Sequence, residues 1–253
     1  MWNADVYNQY GKERMQPSID LADRMNDKNF KRILDVGCGT GMSTVSLLNI
    51  WKDAEIVGVD LSEEMLQKAR ECMPSISFVQ RDCGKPLSDM GTFDLIFSNA
   101  FLQWIPNQEE FILNSFDMLN RDGVFAAQIP LFEEMPANRC IINAESIFPG
   151  KFGDMDDSKY MIYSASEYYE ILSKATGKIS IWITDYFHEM DSHQKILDFL
   201  KGAALRPYIG RLNEDEQKMF MKEVLKNIER EYSYQKNGKI LFPFKRLFLI
   251  GEK

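Results

Sequence analysis

The sequence predicts an α/β fold, a mostly parallel sheet with helices packed on it. Three observations predict it. From residue 32 onward, short runs rich in Ile, Leu, Val and Phe alternate with longer amphipathic stretches, the signature of βαβ units. A glycine cluster falls where the first such run meets the first amphipathic stretch. Finally, 253 residues of which 45% are hydrophobic, 12% aromatic and 27% charged suffice for one large domain with a real core.

Taken in order, Arg32 to Gly37 (RILDVG) reads as a buried strand. Ser43 to Trp51 carries Val45/Leu48 and Leu47/Trp51 at helical spacing, so the strand passes through a glycine turn directly into a helix. Glu55 to Asp60 is the second strand, and Ser62 is an N-cap with Glu63 and Glu64 at the positive helix end. Ile76 to Gln80 and Phe93 to Ser98 are strands, Phe111 to Leu119 a helix, and Gly123 to Ile129 a fifth strand that Pro130 ends. From Leu131 to Tyr163 the pattern weakens into Glu, Met, Pro, Gly and Asp, an irregular or helical insertion. Ser166 to Lys174 reads as a helix, Lys178 to Phe187 as a strand and Ser192 to Ala203 as a capped helix. Asn213 opens a long helix whose stripe is Met221, Leu225, Ile228 and Tyr232, and Asn237-Gly238 marks a turn. In the final strand, Ile240 to Ile250, Pro243 argues for an edge, a bulge or a late start.

Composition removes several function classes. Thirty basic against thirty-eight acidic residues leave a charge of −8 with no basic run, so nucleic acid is not the expected partner. No apolar run reaches the roughly 18 residues of a membrane span, and no secretion signal is visible. Cys38, Cys72, Cys83 and Cys140 form no C-x-x-C pair and read as reduced thiols in a cytoplasm. No metal site is expected: His188 and His193 are the only histidines, and an EF-hand counted from Asp154 would need Gly at Lys159 and Glu at Ala165. The sequence sets no oligomeric state.

The chemistry starts at Asp35-Val-Gly37-Cys38-Gly39-Thr-Gly41, between a strand and a helix. Three glycines let the backbone approach a ligand, and the following helix presents unpaired N–H groups at the sheet's carboxyl edge. Asp60, nineteen residues after Gly41 at the end of the second strand, is placed to accept hydrogen bonds from the two hydroxyls of a ribose. A dinucleotide fingerprint would set its third glycine or alanine at Met42, which speaks against an NAD-dependent oxidoreductase.

With the acid before it, this G-x-G-x-G motif resembles the first motif of class I S-adenosylmethionine-dependent methyltransferases. The other strand ends agree with the resemblance: Asp82-Cys83 stands where those enzymes contact the adenine, and Ser98-Asn99-Ala100 beside the methionine moiety. The resemblance implies a Rossmann-like class I methyltransferase sheet, mostly parallel with the last strand antiparallel, carrying a helical cap and an N-terminal lid. The implied cofactor set is Asp35, Gly37, Cys38, Gly39, Gly41, Asp60, Leu61, Met65, Asp82, Cys83, Asn99 and Ala100. Cys38 reads as a small packing residue, since methyl transfer asks for no thiol there.

Over nearly its full length the chain is similar to the trans-aconitate 2-methyltransferase family. The matching segments are WNADVYNQYGKERMQP, ILDVGCGTGMST, EIVGVDLSEEM, FDLIFSNAFLQWIP, SASEYYEILSKA, IWITDYFHEMDSHQKILDFL, ALRPYI and NGKILFPFKRLFLI. One departure stands at Glu13-Arg14-Met15-Gln16-Pro17, where the family has a second arginine, and another at LFEEMP after Ile129. The resemblance implies one methyltransferase domain, with residues 1–27 as lid, 28–130 as cofactor core and 131–253 as the remaining strands and substrate-cleft cap. It implies a small carboxylic acid as acceptor and a product pair of methyl ester and S-adenosylhomocysteine. No general base is needed, because a carboxylate is already ionised at pH 7. Arg206 and Arg14 are the expected cations for the acid, each with a surface salt bridge as the alternative, and Tyr208 follows Arg206. Gln103 and Trp104 stand where an amide and an aromatic wall could orient it, Trp104 being equally readable as core, and Tyr7 and Tyr10 could close the lid or merely pack. The same stretch resembles malonyl-carrier-protein methyltransferases, a second reading, and a non-catalytic cofactor-binding module is a third.

Overall fold

In a computed structural model, the structure describes residues 11–153, 161–202 and 204–253. Seven strands form one sheet: β1 Arg32–Val36, β2 Glu55–Asp60, β3 Ser77–Gln80, β4 Phe93–Asn99, β5 Leu119–Pro130, β6 Lys178–Met190 and β7 Ile240–Glu252. Their order is β3-β2-β1-β4-β5-β7-β6. The pairs from β3 to β5 are parallel, and β7 runs antiparallel to β5. The chain therefore builds outward from β1 to β3, returns to β4 on the other side of β1, and leaves a crevice at the carboxyl ends of β1 and β4.

The chain divides into two compact units: one of Arg14–Pro130, Asp157–Thr184 and Arg246–Lys253, the other of Met1–Glu13, Leu131–Asp156 and Asp185–Lys245. In the first, the central strands are apolar on both faces, as strands covered on two sides must be. Ile33, Leu34, Val36, Phe93, Leu95, Ile96, Phe97, Val124 and Phe125 are all 0 or 1% exposed. Helices α2 (Met42–Ile50), α3 (Glu63–Cys72), α4 (Gln108–Met118) and α6 (Ala165–Ser173) belong to this unit, with most of α1 (Gly11–Asp23). Ser62 caps α3 through the N–H of Met65, and Ser164 forms a capping box with Glu167 on α6.

The second unit is mainly helical, with α5 (Pro136–Glu145), α7 (His193–Lys201), α8 (Arg206–Ile209) and α9 (Glu214–Glu231). Asn213 closes a capping box with Glu216 at the start of α9, the helix start that the acidic first turn predicts. Ile141, Ala144, Phe199, Leu200, Phe220, Val224, Ile228 and Phe242 make its core. Helix α5 gives form to the stretch whose pattern was weak: Pro136 starts it, and Ala137, Cys140, Ile141 and Ala144 are its buried face. His193 opens α7, with Nε2 2.6 Å from the carbonyl oxygen of Tyr232.

Helix α1 was not predicted, β5 begins at Leu119 rather than Gly123, and the late start that Pro243 allowed for β7 is not taken. Helix α1 contains Pro17 at an interior position, which hides it from a propensity reading. Strand β7 already begins at Ile240, before Pro243, yet its pairing with β5 starts only at Arg246, so the missing N–H of Pro243 costs no bond to β5.

Candidate active site

Five residues, Gly37 to Gly41, connect β1 to α2. Gly37, Gly39 and Gly41 have φ of +72°, +55° and +87°, the left-handed region that an L side chain enters only with strain. Gly37 also has no room, because a Cβ there would lie 2.0 Å from Cγ of Phe101. Gly39 differs: the nearest atom to a Cβ is Sδ of Met65 at 3.5 Å, so the space over the middle of the loop is open. The N–H groups of Gly37 and Cys38 both donate to the carbonyl of Val59, fastening the loop to β2. No side chain caps α2, and its first-turn N–H groups face the loop in the manner of an anion or ligand cradle.

Asp60 stands beside this cradle. Its Oδ2 accepts from the N–H of Gly39 and its Oδ1 from the N–H of Ser62, both at 2.9 Å. A carboxylate oxygen has two acceptor sites, so each oxygen keeps one for a hydroxyl, which fits a vicinal diol. The backbone carbonyl of Asp60 accepts from the N–H of Arg81, bringing the end of β3 alongside. Asp82 is exposed there, with Oδ1 accepting from the N–H of Gly84 at 3.1 Å and Oδ2 3.4 Å from Nζ of Lys85.

Asp35 is fully buried under the loop. Ser43 and Thr44, at the start of α2, donate their hydroxyls to its Oδ2 at 2.8 and 2.7 Å, so the acid clamps the helix to β1. Burial pushes its carboxyl up to about 6 against the bonds from Thr44 and Ser43, and the charge of Asp60 adds to the rise. The unfolded chain releases this proton near pH 4 and the folded protein near pH 6, so stability falls as pH rises through that window and levels off above it. Asp35→Asn is expected to flatten that part of the profile; melting temperatures at pH 4.5, 6 and 8 check it, and an unaltered slope would assign the titration elsewhere.

Burial raises both thiols of the site, that of Cys83 to about 12 and that of Cys38 far above the ordinary range, so neither is a nucleophile at neutral pH. Cys38 packs with Leu66, Ala69 and Phe78.

At the end of β4, Asn99 is followed by Ala100, a non-glycine residue with φ of +54°, and the N–H of Ala100 donates to the carbonyl of Gln128 on β5. A 3-10 turn, Leu102–Trp104, comes next. Gln103 is 4% exposed and donates Nε2 to the Ala100 carbonyl at 2.8 Å, whereas Trp104 is 50% exposed and is no core residue. Among the described residues, Oδ1 of Asp35, Oγ of Ser98, Oδ1 of Asn99 and Oε1 of Gln103 are buried without a hydrogen-bond partner. Ser98, Asn99 and Gln103 thus leave polar atoms at and just after the end of β4 that a bound group could satisfy.

The structure thus brings together Gly37, Cys38, Gly39, Gly41, Asp60, Met65, Asn99, Ala100 and Gln103, with Asp82 and Cys83 at the neighbouring strand end. Leu61 is 62% exposed. Arg206, exposed on α8, and Tyr208, stacked on Phe220 at 5.5 Å between ring centroids, belong to the helical unit. Arg14 lies on α1, and its side chain, like Tyr7 and Tyr10, is outside the described residues. Sequence reading passes over Phe101, which covers Gly37, and over Ser43 and Thr44; hydroxyls opening a helix eight and nine residues after a buried acid were the available signal. Among the described residues no cluster of His, Cys, Asp and Glu could hold a metal ion, and no helix is long and apolar enough to cross a membrane.

Residues 33–123 match a family described as a methyltransferase domain. The whole chain is 35% identical over 252 residues to trans-aconitate 2-methyltransferase of Escherichia coli O139:H28, spanning 98% of that protein. In fold it is similar to the Bacillus subtilis protein YcgJ, with a TM-score of 0.59 at 17% identity over 94% of this chain and 98% of that one. It is also similar to phosphoethanolamine N-methyltransferase 2 of Haemonchus contortus in complex with S-adenosyl-L-methionine, with a TM-score of 0.56 at 17% identity over 94% of this chain and 52% of that one.

Proposed function

Because the chain belongs to the trans-aconitate 2-methyltransferase family of class I S-adenosylmethionine-dependent methyltransferases, we propose that it esterifies a carboxylate of a small polycarboxylic acid such as trans-aconitate. The observation that carries the acceptor class is a relationship that runs the whole length of the chain rather than the cofactor motifs alone. S-adenosylmethionine, when bound, supplies an electrophilic methyl group for a carboxylate oxygen and departs as S-adenosylhomocysteine.

The chain's own residues hold and orient. Asp60 accepts the ribose hydroxyls, the loop Gly37 to Gly41 lets the backbone pass close, and Asp82 and Cys83 flank the adenine. Leu61 and Met65 pack along the cofactor, with Asn99 and Ala100 beside its methionine end. No residue is asked to take a proton, since the acceptor is ionised at neutral pH. Gln103 and Trp104 orient the acid, and Arg206, with Arg14, Tyr7 and Tyr208, offers cationic and hydroxyl groups to its carboxylates. Positioning of this kind contributes up to roughly 7–11 kcal/mol in favourable cases.

Initial rates with methyl-labelled cofactor across small mono-, di- and tricarboxylic acids, beside a malonyl-loaded acyl carrier protein, test the reading. Saturable transfer to a free polycarboxylate supports it; transfer confined to the carrier protein overturns it. In the same assay Arg206→Ala is expected to raise the KM for the acid about 10-fold while leaving cofactor affinity within threefold. A drop in melting temperature with unchanged kinetics would make Arg206 structural.

A further inference from the structure

The carboxyl ends of β4 and β5, and the stretch of antiparallel β7 paired with the end of β5, bury polar groups outside the expected cofactor set. Gln128, 0% exposed, stands level with Asn99 on β4 and Phe248 on β7, so the three side chains share one face of the sheet. Arg246, 6% exposed, precedes Phe248 by two residues and therefore lies on that same face, opposite Pro130. Nη1 of Arg246 is 3.5 Å from Oε1 of Gln128, the outer limit of a hydrogen bond. With Oε1 turned to the guanidinium, Nε2 of Gln128 is a donor, buried and without a partner among the described residues. A buried donor left unmade is costly, and natural interiors keep few.

The sheet order says what this donor faces. From Asp82 after β3, through Asp60 on β2 and the glycine loop after β1, to Asn99 on β4, the expected cofactor residues follow the strand order outward. Next in that direction come the carboxyl end of β5 and the stretch of β7 paired with it, beyond the residues expected at the methionine end of the cofactor. An amide N–H beside a guanidinium is a donor set for a carboxylate and repels a sulfonium or an amine.

We propose that Arg246 and Gln128 bind a non-reacting carboxylate of the acceptor and so select a polycarboxylic acid. A guanidinium withdraws charge from the oxygens it binds, so the carboxylate held here is not the one that attacks. The inference rests on the acceptor class proposed above.

Titration calorimetry of trans-aconitate into the full chain loaded with S-adenosylhomocysteine tests it. Arg246→Lys removes the fork, and Gln128→Glu sets a competing carboxylate beside Arg246. Each is expected to raise the Kd of the acid about 30-fold or more, while the Kd of S-adenosylhomocysteine stays within threefold. In turnover, both variants raise KM for the acid more than they lower kcat. If Arg246→Lys does not fold, Gln128→Glu decides. An unchanged Kd for the acid in a wild-type enzyme that esterifies it overturns this inference alone. A parallel loss of S-adenosylhomocysteine affinity also overturns it, assigning the pair to the cofactor's own carboxylate or to the fold. A wild-type protein that neither binds nor methylates trans-aconitate or any other carboxylic acid overturns both readings.

Discussion

Asp60→Ala is expected to weaken S-adenosylmethionine binding about 100-fold. The carboxylate keeps one free acceptor site on each oxygen, and hydrogen bonds to a charged group contribute roughly 1.5–3 kcal/mol apiece. Losing the contacts to a ribose diol therefore removes on the order of 3 kcal/mol, a factor of about 100. The substitution also leaves the N–H groups of Gly39 and Ser62 without their acceptor, so the loop loosens in the same step. Asp60→Asn keeps one acceptor oxygen and is expected to lose about 10-fold. Calorimetric titration with S-adenosylhomocysteine reads both values. An affinity within threefold of wild type in the alanine variant would place the ribose elsewhere.

Gly37→Ala carries the largest expected loss of stability. A left-handed φ of +72° costs an alanine roughly 1–2 kcal/mol. The new Cβ would meet Cγ, Cδ2 and Cβ of Phe101 at 2.0, 2.2 and 2.4 Å, so the ring must leave its place. Overpacking of this kind costs typically about 1–3 kcal/mol more. Together these lower the melting temperature by roughly 5–15 °C. Because the strain has two sources, adding Phe101→Ala should relieve only the steric one. A double-mutant cycle between positions 37 and 101 is expected to show a favourable coupling of about 1–3 kcal/mol, and strict additivity would mean that the ring gives way freely.

What the sequence shows of this protein divides along locality. The glycine loop is legible because its three glycines fall within five consecutive residues, and Asp60, the N-cap at Ser62 and the capping residue Asn213 because each has a partner within a few residues. Long-range pairs are not. That Phe101 closes over Gly37, and that Arg246 meets Gln128, follow from strand order and register, which no local pattern encodes. Gln103 and Trp104 show the limit from another side: the amide is buried and the indole half exposed, the reverse of their hydrophobicity. Polar atoms orphaned in the interior mark where composition yields to binding. Helix α5 was readable in principle, since Ala137, Cys140, Ile141 and Ala144 keep helical spacing. Small side chains on its buried face weaken the apolar signal, and Pro136 reads first as a break.

Methyl transfer to a carboxylate oxygen leaves an ester, whose lability in base distinguishes it from a methylated nitrogen or phenol. The purified protein is incubated with methyl-labelled S-adenosylmethionine and trans-aconitate, the small-molecule product is separated, and mild base is applied. The expected product is a labelled ester that releases its label as methanol. A label retained through base treatment, as on nitrogen or a phenol oxygen, would contradict transfer to a carboxylate.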